Sequence, residues 1–179
     1  NNSSAPPAAS GAQEPAGGAD GGALKGETVK VGIFVPLTGT MADKGKRIVD
    51  GITMAANDIN AAGGIEGAKI ELIVEDDEGV PASAVNAVTK LINSDNVHAV
   101  MGSNPSSCTI AAMTITERNE VPQIAANSSS PKITGSGNKF IFQTIPNDAI
   151  QASKLVDFAV EDKQIKKFAI IHPNDDYGM

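Results

Sequence analysis

Hydroxyl groups gather at two places in this chain, each just after an apolar stretch. The first is GSNPSSCT, residues 102–109, which follows VHAV; the second is ANSSSP, residues 126–131, which follows VPQIA. A serine in the first turn of a helix stands beside backbone N–H groups that have no acceptor within the helix, at the positive end of its dipole. Ser106 and Ser107 in such a turn would stabilise an anion, most simply a carboxylate. If the second cluster lies alongside, its hydroxyls and amides let one small site donate to a carboxylate and accept from an ammonium. A single serine before a helix is ordinarily a cap. Two serine-rich loops on adjacent strand ends are harder to assign to capping alone, and their adjacency depends on the strand order.

Other chemistries find less support. Cys108 beside Ser107 suggests a nucleophile, yet no histidine lies nearby in sequence and no G-x-S-x-G elbow occurs, so a small residue packed at the helix start explains it. His98 and His172 are the only histidines, too few for a His-rich metal site, and are expected to be structural. EDDEG, residues 75–79, lacks the ligand spacing of a calcium loop and reads as a solvated loop or helix-start charge. The loop after the first strand, PLTGTMADKG, has neither GxGxxG nor GxxxxGK[ST], which disfavours dinucleotide and nucleotide-phosphate binding. Net charge is −7 with scattered lysines, and aromatic residues make up 3%, so nucleic acid is not an expected partner.

The elements that must position these loops are legible as a repeating unit. TVKVGIFV, from Thr28, is a β-branched strand; GKRIVDGITMAANDINAAGG follows as a helix with Ile48, Ile52, Ala55 and Ile59 at helical spacing and a double-glycine stop. AKIELIVEDD is a second strand. Pro81 opens a helix whose Val85, Val88, Leu91 and Ile92 make one apolar face. NVHAVMG and VPQIAA are strands flanking a helix over 106–118, KFIFQTI is a fifth strand, 148–163 a helix, and residues 167–172 of KKFAIIHP a further strand. Apolar strands alternating with helices of ten or more residues predict an α/β, doubly wound parallel sheet with helices on both faces. Ligands of such sheets bind beyond the carboxyl ends of the strands, where both serine loops fall.

Residues 1–26, rich in Ala, Gly, Pro and Ser, cannot bury enough apolar surface to offset ordering entropy and read as a flexible tether. The last strand is followed only by NDDYGM, so the chain is expected to be a fragment of a longer polypeptide. No stretch approaches the eighteen or so apolar residues that cross a bilayer.

VKVGIFVPLTGTMADKGKRIVDGITMAANDINAAGGIEGAKIELIVEDDEG, with VHAVMGSNPSSCT, VPQIAANSSSP and FAIIHPNDDYG, resembles the branched-chain amino acid binding proteins of bacterial ABC transporters, of the type I periplasmic solute-binding fold. The likeness runs from Thr28 to Gly178, and NDINAAGGIEG and DDYG are its more specific markers. It implies two lobes that close on a ligand by hinge motion, with residues 28–147 forming lobe 1 and 148–179 beginning lobe 2. It implies no cofactor, no metal and no catalysis, a monomer, and delivery of a small-molecule ligand to a membrane permease. It places the protein in the periplasm or on the extracellular face of the membrane, held by a lipid on a cysteine upstream of the tether.

By the same resemblance, Ser106 hydrogen-bonds the ligand carboxylate, with Ser107 beside it in the motif. The backbone carbonyl of Asn127 accepts from the α-amino group, the hydroxyl of Ser129 lies two residues on, and Tyr177 lines the cleft from lobe 2. Asp148 matches the acidic position at the lobe crossing. Two positions depart from the family. Its lobe 1 disulfide falls on Val80 and Pro105. Lys44 stands in the loop where leucine-type binders often carry an aromatic residue, and a cation sits poorly against an isobutyl group; a solvated loop lysine is the alternative. The expectation is a solute-binding protein for an amino acid or related small molecule. A sensory domain of the same fold and an amide- or urea-type binder are the alternatives.

Overall fold

The computed structural model describes residues 24–174, 177 and 178. Residues 1–23 of the expected tether and Asp175, Asp176 and Met179 lie outside the described residues.

Five parallel strands form one sheet in the order β2-β1-β3-β4-β5: β1 (Thr28–Val35), β2 (Lys69–Asp76), β3 (Ala99–Gly102), β4 (Gln123–Ala125) and β5 (Ile141–Gln143). The connecting helices are α1 (Ala42–Ala61), α2 (Pro81–Asn93), α3 (Ser106–Arg118) and α4 (Pro131–Gly135). The chain steps one way from β1 to β2 and then reverses. Right-handed crossovers therefore put α1 on one face of the sheet and α2, α3 and α4 on the other. The reversal lies between β1 and β3, the place where a sheet of this order opens a crevice at its carboxyl edge.

The face bearing α2 and α3 holds the main core: Phe34, Ala84, Ala87, Val88, Leu91, Val97, Val100, Cys108 and Ala112. A second cluster, Met113, Ala125, Ile133 and Ile141, continues it under α4. Pro81 at the first position of α2 loses no helical hydrogen bond there, and Ala84, Ala87, Val88 and Leu91 form its buried stripe. The expected Val85 and Ile92 flank that stripe, half-buried.

The face of α1 differs from expectation. Ala55 is exposed and Ile59 is 40% exposed, while Gly45 and Ala56 are buried with Val49 and Ile52 half-buried between them. The start of the helix meets the end of β1 too closely for a side chain. A Cβ on Gly45 would come within 1.8 Å of the Pro36 carbonyl oxygen, so only glycine fits where α1 crosses the end of β1. At its far end the Asn60 side chain bonds the β2 backbone, donating to Ile70 O at 2.9 Å and accepting from Ile70 N at 2.7 Å.

After β5 the chain forms α5 (Asp148–Asp157), which continues as one wider turn, Phe158–Asp162. Asn147 caps α5 by accepting from Ile150 N at 3.2 Å, and α5 carries no buried residue. The strand expected over residues 167–172 is not formed. Among the described residues the sheet ends at β5, and Ile170 and Ile171 are 85% and 98% exposed. A β-rich segment becomes a strand only when a neighbour takes its backbone groups, and none does so here.

Candidate functional site

The carboxyl ends of β1, β3 and β4 support three loops around a cleft of about 430 Å³. Met41 and Lys44 come from the loop and first turn after β1, and Asn104, Pro105, Ser106 and Ser107 from the passage of β3 into α3. Asn127 and Ser129 follow β4, and Pro173 and Tyr177 come from the far end of the chain. Of the seven residues singled out from sequence, six line this one cleft: Lys44, Ser106, Ser107, Asn127, Ser129 and Tyr177. The seventh, Asp148, stands behind the wall, where its Oδ2 accepts from Ser129 Oγ at 2.9 Å. β3 and β4 are paired neighbours, so the two serine loops are side by side.

The serines of α3 do not cap their helix. Its cap position is Pro105, with no side-chain cap hydrogen bond. Ser106 Oγ instead accepts from Ser130 N at 3.3 Å, which joins the two loops. Capping does occur in the other loop, where Ser130 Oγ accepts from Lys132 N at 3.3 Å. The first turn of α3 thus presents backbone N–H groups and two buried serines to a cleft, where an anion would be stabilised by the dipole and by donors together.

A buried polar network holds the loops in register. Ser128 Oγ donates to Ser103 O at 2.7 Å and lies 2.6 Å from Thr109 Oγ1, which accepts from Ser103 N at 2.8 Å. Gln143 Nε2 donates to Ser128 O at 2.7 Å. Gln123, fully buried, donates to Thr109 O at 3.0 Å and accepts from Thr116 Oγ1 at 2.8 Å, which fixes α3 to β4. With both sides of each bond satisfied, such a network costs little and specifies one loop geometry. Gly102 allows the approach: its φ is +139°, and a Cβ there would stand 2.0 Å from Phe34 O.

Across the cleft, Asn127 Nδ2 donates to Asn104 Oδ1, and Asn104 Nδ2 lies 3.6 Å from Met41 Sδ, which laces all three loops. Asn104, Met41, Pro105 and Pro173 were not singled out from sequence. Asn104 had a signal, since it lies between a strand end and the serines it serves.

EDDEG is not a solvated loop throughout. Asp76 pins the loop after β1, accepting from Leu37 N at 2.8 Å, Thr38 Oγ1 at 2.7 Å and Glu78 N at 2.8 Å. Burial works to raise its pKa, but the bonds from Thr38, Leu37 and Glu78 outweigh this and hold the carboxyl below its ordinary value. Asp77 is fully buried; Oδ1 accepts from Gly79 N at 2.9 Å, while Oδ2 has no hydrogen-bond partner among the described residues. Desolvation raises its pKa against the opposing pull of Ser103 and the Gly79 amide, and the neighbouring Asp76 and Glu78 add to the rise. Sequence alone hides this, because a run of acids reads as hydrated until the fold turns one of them inward.

Cys108 is buried, and desolvation together with the nearby Asp77 charge pushes its thiol up to about 12. A neutral, enclosed thiol is a packing residue. His98 Nδ1 accepts from Lys30 N at 3.0 Å, a structural role, and His172 is exposed. Among the described residues no group of three or more His, Cys, Asp or Glu could hold a metal ion, and no helix is long and apolar enough to cross a membrane.

A family model described as periplasmic binding protein matches residues 28–179. The chain is 37% identical over 150 residues to an "Amino acid binding protein" of Pseudomonas aeruginosa, covering 84% of this chain and 40% of that one. Among solved structures it is similar to the branched-chain amino acid transporter substrate binding protein LivJ from Streptococcus pneumoniae in complex with isoleucine. That match has a TM-score of 0.72 and 29% identity, over 77% of this chain and 39% of the other. A solute binding protein of an ABC transporter from Rhodopseudomonas palustris, in complex with 3,4-dihydroxybenzoic acid, aligns at TM-score 0.70 and 28% identity, over 75% and 36%. The chain thus spans about two fifths of the length of the relatives it matches.

Proposed function

The chain belongs to the periplasmic binding protein family, and from that membership we propose that it is the ligand-holding first lobe, with the start of the second, of an extracytoplasmic solute-binding protein serving an ABC importer. Its ligand is an amino acid. One observation carries this: Ser106, Ser107, Asn127 and Ser129 share a single cleft at the uncapped first turn of α3.

In this proposal the ligand carboxylate lies against the first turn of α3, receiving hydrogen bonds from Ser106 and the backbone amides. The α-ammonium lies toward the loop after β4, where the Asn127 carbonyl accepts from it and the Ser129–Asp148 pair supplies a balancing negative charge. Buried donors aimed at a carboxylate in a closing, water-poor cleft are each worth about 1.5–3 kcal/mol. Residues 28–147 form one lobe and 148 onward leads into the other, a division supported by a sheet that ends at Gln143 and an α5 with no buried residue. Closure of the lobes would trap the ligand for presentation to a membrane permease. No catalytic step is included, in keeping with relatives named for binding and with a thiol that stays protonated.

Thermal denaturation of the full-length protein against a panel of amino acids tests this, because a ligand that binds only the folded state raises Tm with concentration. A saturable rise with at least one zwitterionic amino acid is expected. A flat response across the panel would overturn it.

A further inference from the structure

We propose that Lys44 sets ligand preference: the cleft is built for an amino acid whose side chain carries its own carboxylate, such as glutamate or aspartate. This rests on the amino-acid function proposed above and names the class of side chain.

Lys44 stands in the first turn of α1, and it and Ser106 line the same cleft. It makes no hydrogen bond or ion pair among the described residues. Among the described residues Lys44 is the one Lys, Arg, Asp or Glu that lines the cleft; Asp148 stands behind its wall, engaged by Ser129. The lining mixes apolar Met41, Pro105, Pro173 and Tyr177 with polar Asn104, Asn127, Ser106, Ser107 and Ser129. Closing such a cleft on a branched hydrocarbon would strand Lys44 without a partner, at the cost of its hydration. A dicarboxylic amino acid matches the charges one for one. Its α-carboxylate meets the dipole of α3, its ammonium lies at the Asn127 carbonyl with Asp148 one bond behind, and its distal carboxylate meets Lys44. The loop that leads into α1 and the lysine is pinned by two hydrogen bonds to Asp76, from Leu37 N and Thr38 Oγ1. A solute binding protein of similar fold is in complex with 3,4-dihydroxybenzoic acid, a ligand that also carries a carboxylate and no branched aliphatic group.

Arg47, one turn along α1, lines the neighbouring groove with Ile48 and Ile52 but not the cleft, and serves as the control. Calorimetric titration of the full-length protein would compare L-glutamate, L-aspartate and L-leucine on the native protein, Lys44→Met and Arg47→Met. Expected is at least a tenfold preference for an acidic amino acid over leucine. Lys44→Met should abolish it by weakening the acidic ligand, and Arg47→Met should leave it intact. A native preference for leucine, an equal effect of Lys44→Met on all ligands, or an equal loss from Arg47→Met would overturn the role of Lys44 while leaving the amino-acid function standing. Binding of no amino acid would overturn both.

Discussion

Ser129 and Asp148 grip each other through two hydrogen bonds: Ser129 Oγ donates to Asp148 Oδ2 at 2.9 Å, and Asp148 N donates to Ser129 O at 2.9 Å. The pair ties the loop after β4 to the first turn of α5, where the chain leaves the sheet. One side chain therefore sits in the cleft while its partner anchors the exit, and an anion is held one bond behind the wall.

Asp148→Asn separates the charge from the tie. The amide keeps an oxygen for Ser129 and the backbone bond is untouched, so Tm should change by no more than about 2 °C. Affinity for an amino acid should fall about tenfold if the carboxylate balances the ammonium, as calorimetry would show. A large fall in Tm with unchanged affinity would make the pair purely structural.

Asp76 is expected to act at a distance. Its three acceptor bonds are present while it is ionised, and its folded pKa lies below the unfolded value. Their contribution is thus full at neutral pH and lost as pH falls through the folded pKa. Asp76→Ala should destabilise by about 1–2 kcal/mol in denaturant unfolding at pH 7. It should also loosen the loop bearing Met41 and Lys44, which would appear as weaker ligand binding.

Asp77 carries the opposite sign. With a folded pKa raised above the unfolded one, its ionisation costs stability as pH climbs from the unfolded value through the folded one. Asp77→Asn keeps the acceptor for Gly79 N and removes the buried charge. The variant should match the native protein near pH 3.5 and melt higher at pH 7 to 8. A variant that melts lower at neutral pH would show that the ionised carboxylate is held by a bond the amide cannot keep, such as one from Ser103.

Cys108 should resist thiol reagents in the folded protein at pH 8 and react at once in denaturant, since burial holds it neutral. Its ionisation removes stability only as pH rises from about 9, where the unfolded thiol titrates, toward about 12. Rapid native-state labelling would contradict its assignment to the core.

Local pattern was informative wherever the interaction that fixes an element is local. β1 ends where its β-branched run ends, and α3 begins at Ser106 because Pro105 cannot continue a helix backwards. The site was legible to the same degree, since strand ends bring their loops to one edge of a parallel sheet. What failed was decided by neighbours. On α1 the expected Ile48 and Ile52 are half-buried, but the fully buried positions are Gly45, against Pro36, and Ala56, while Ala55 and Ile59 are exposed. Residues 167–172 have strand composition and no strand to pair with. Asp77 is hidden by a turn that the acid run does not announce, and Asn104 joins the cleft through the side chains of Met41 and Asn127.

The measurement that tests the site most directly is a double-mutant cycle on the carboxylate. The full-length protein and Ser106→Ala would each be titrated with the best-bound amino acid and with its α-carboxamide. A carboxylate held by Ser106 and the first turn of α3 predicts a loss of about 1–3 kcal/mol for Ser106→Ala with the acid, and much less with the amide. Equal affinities of Ser106→Ala and the native protein for the acid would contradict the placement of the ligand at α3.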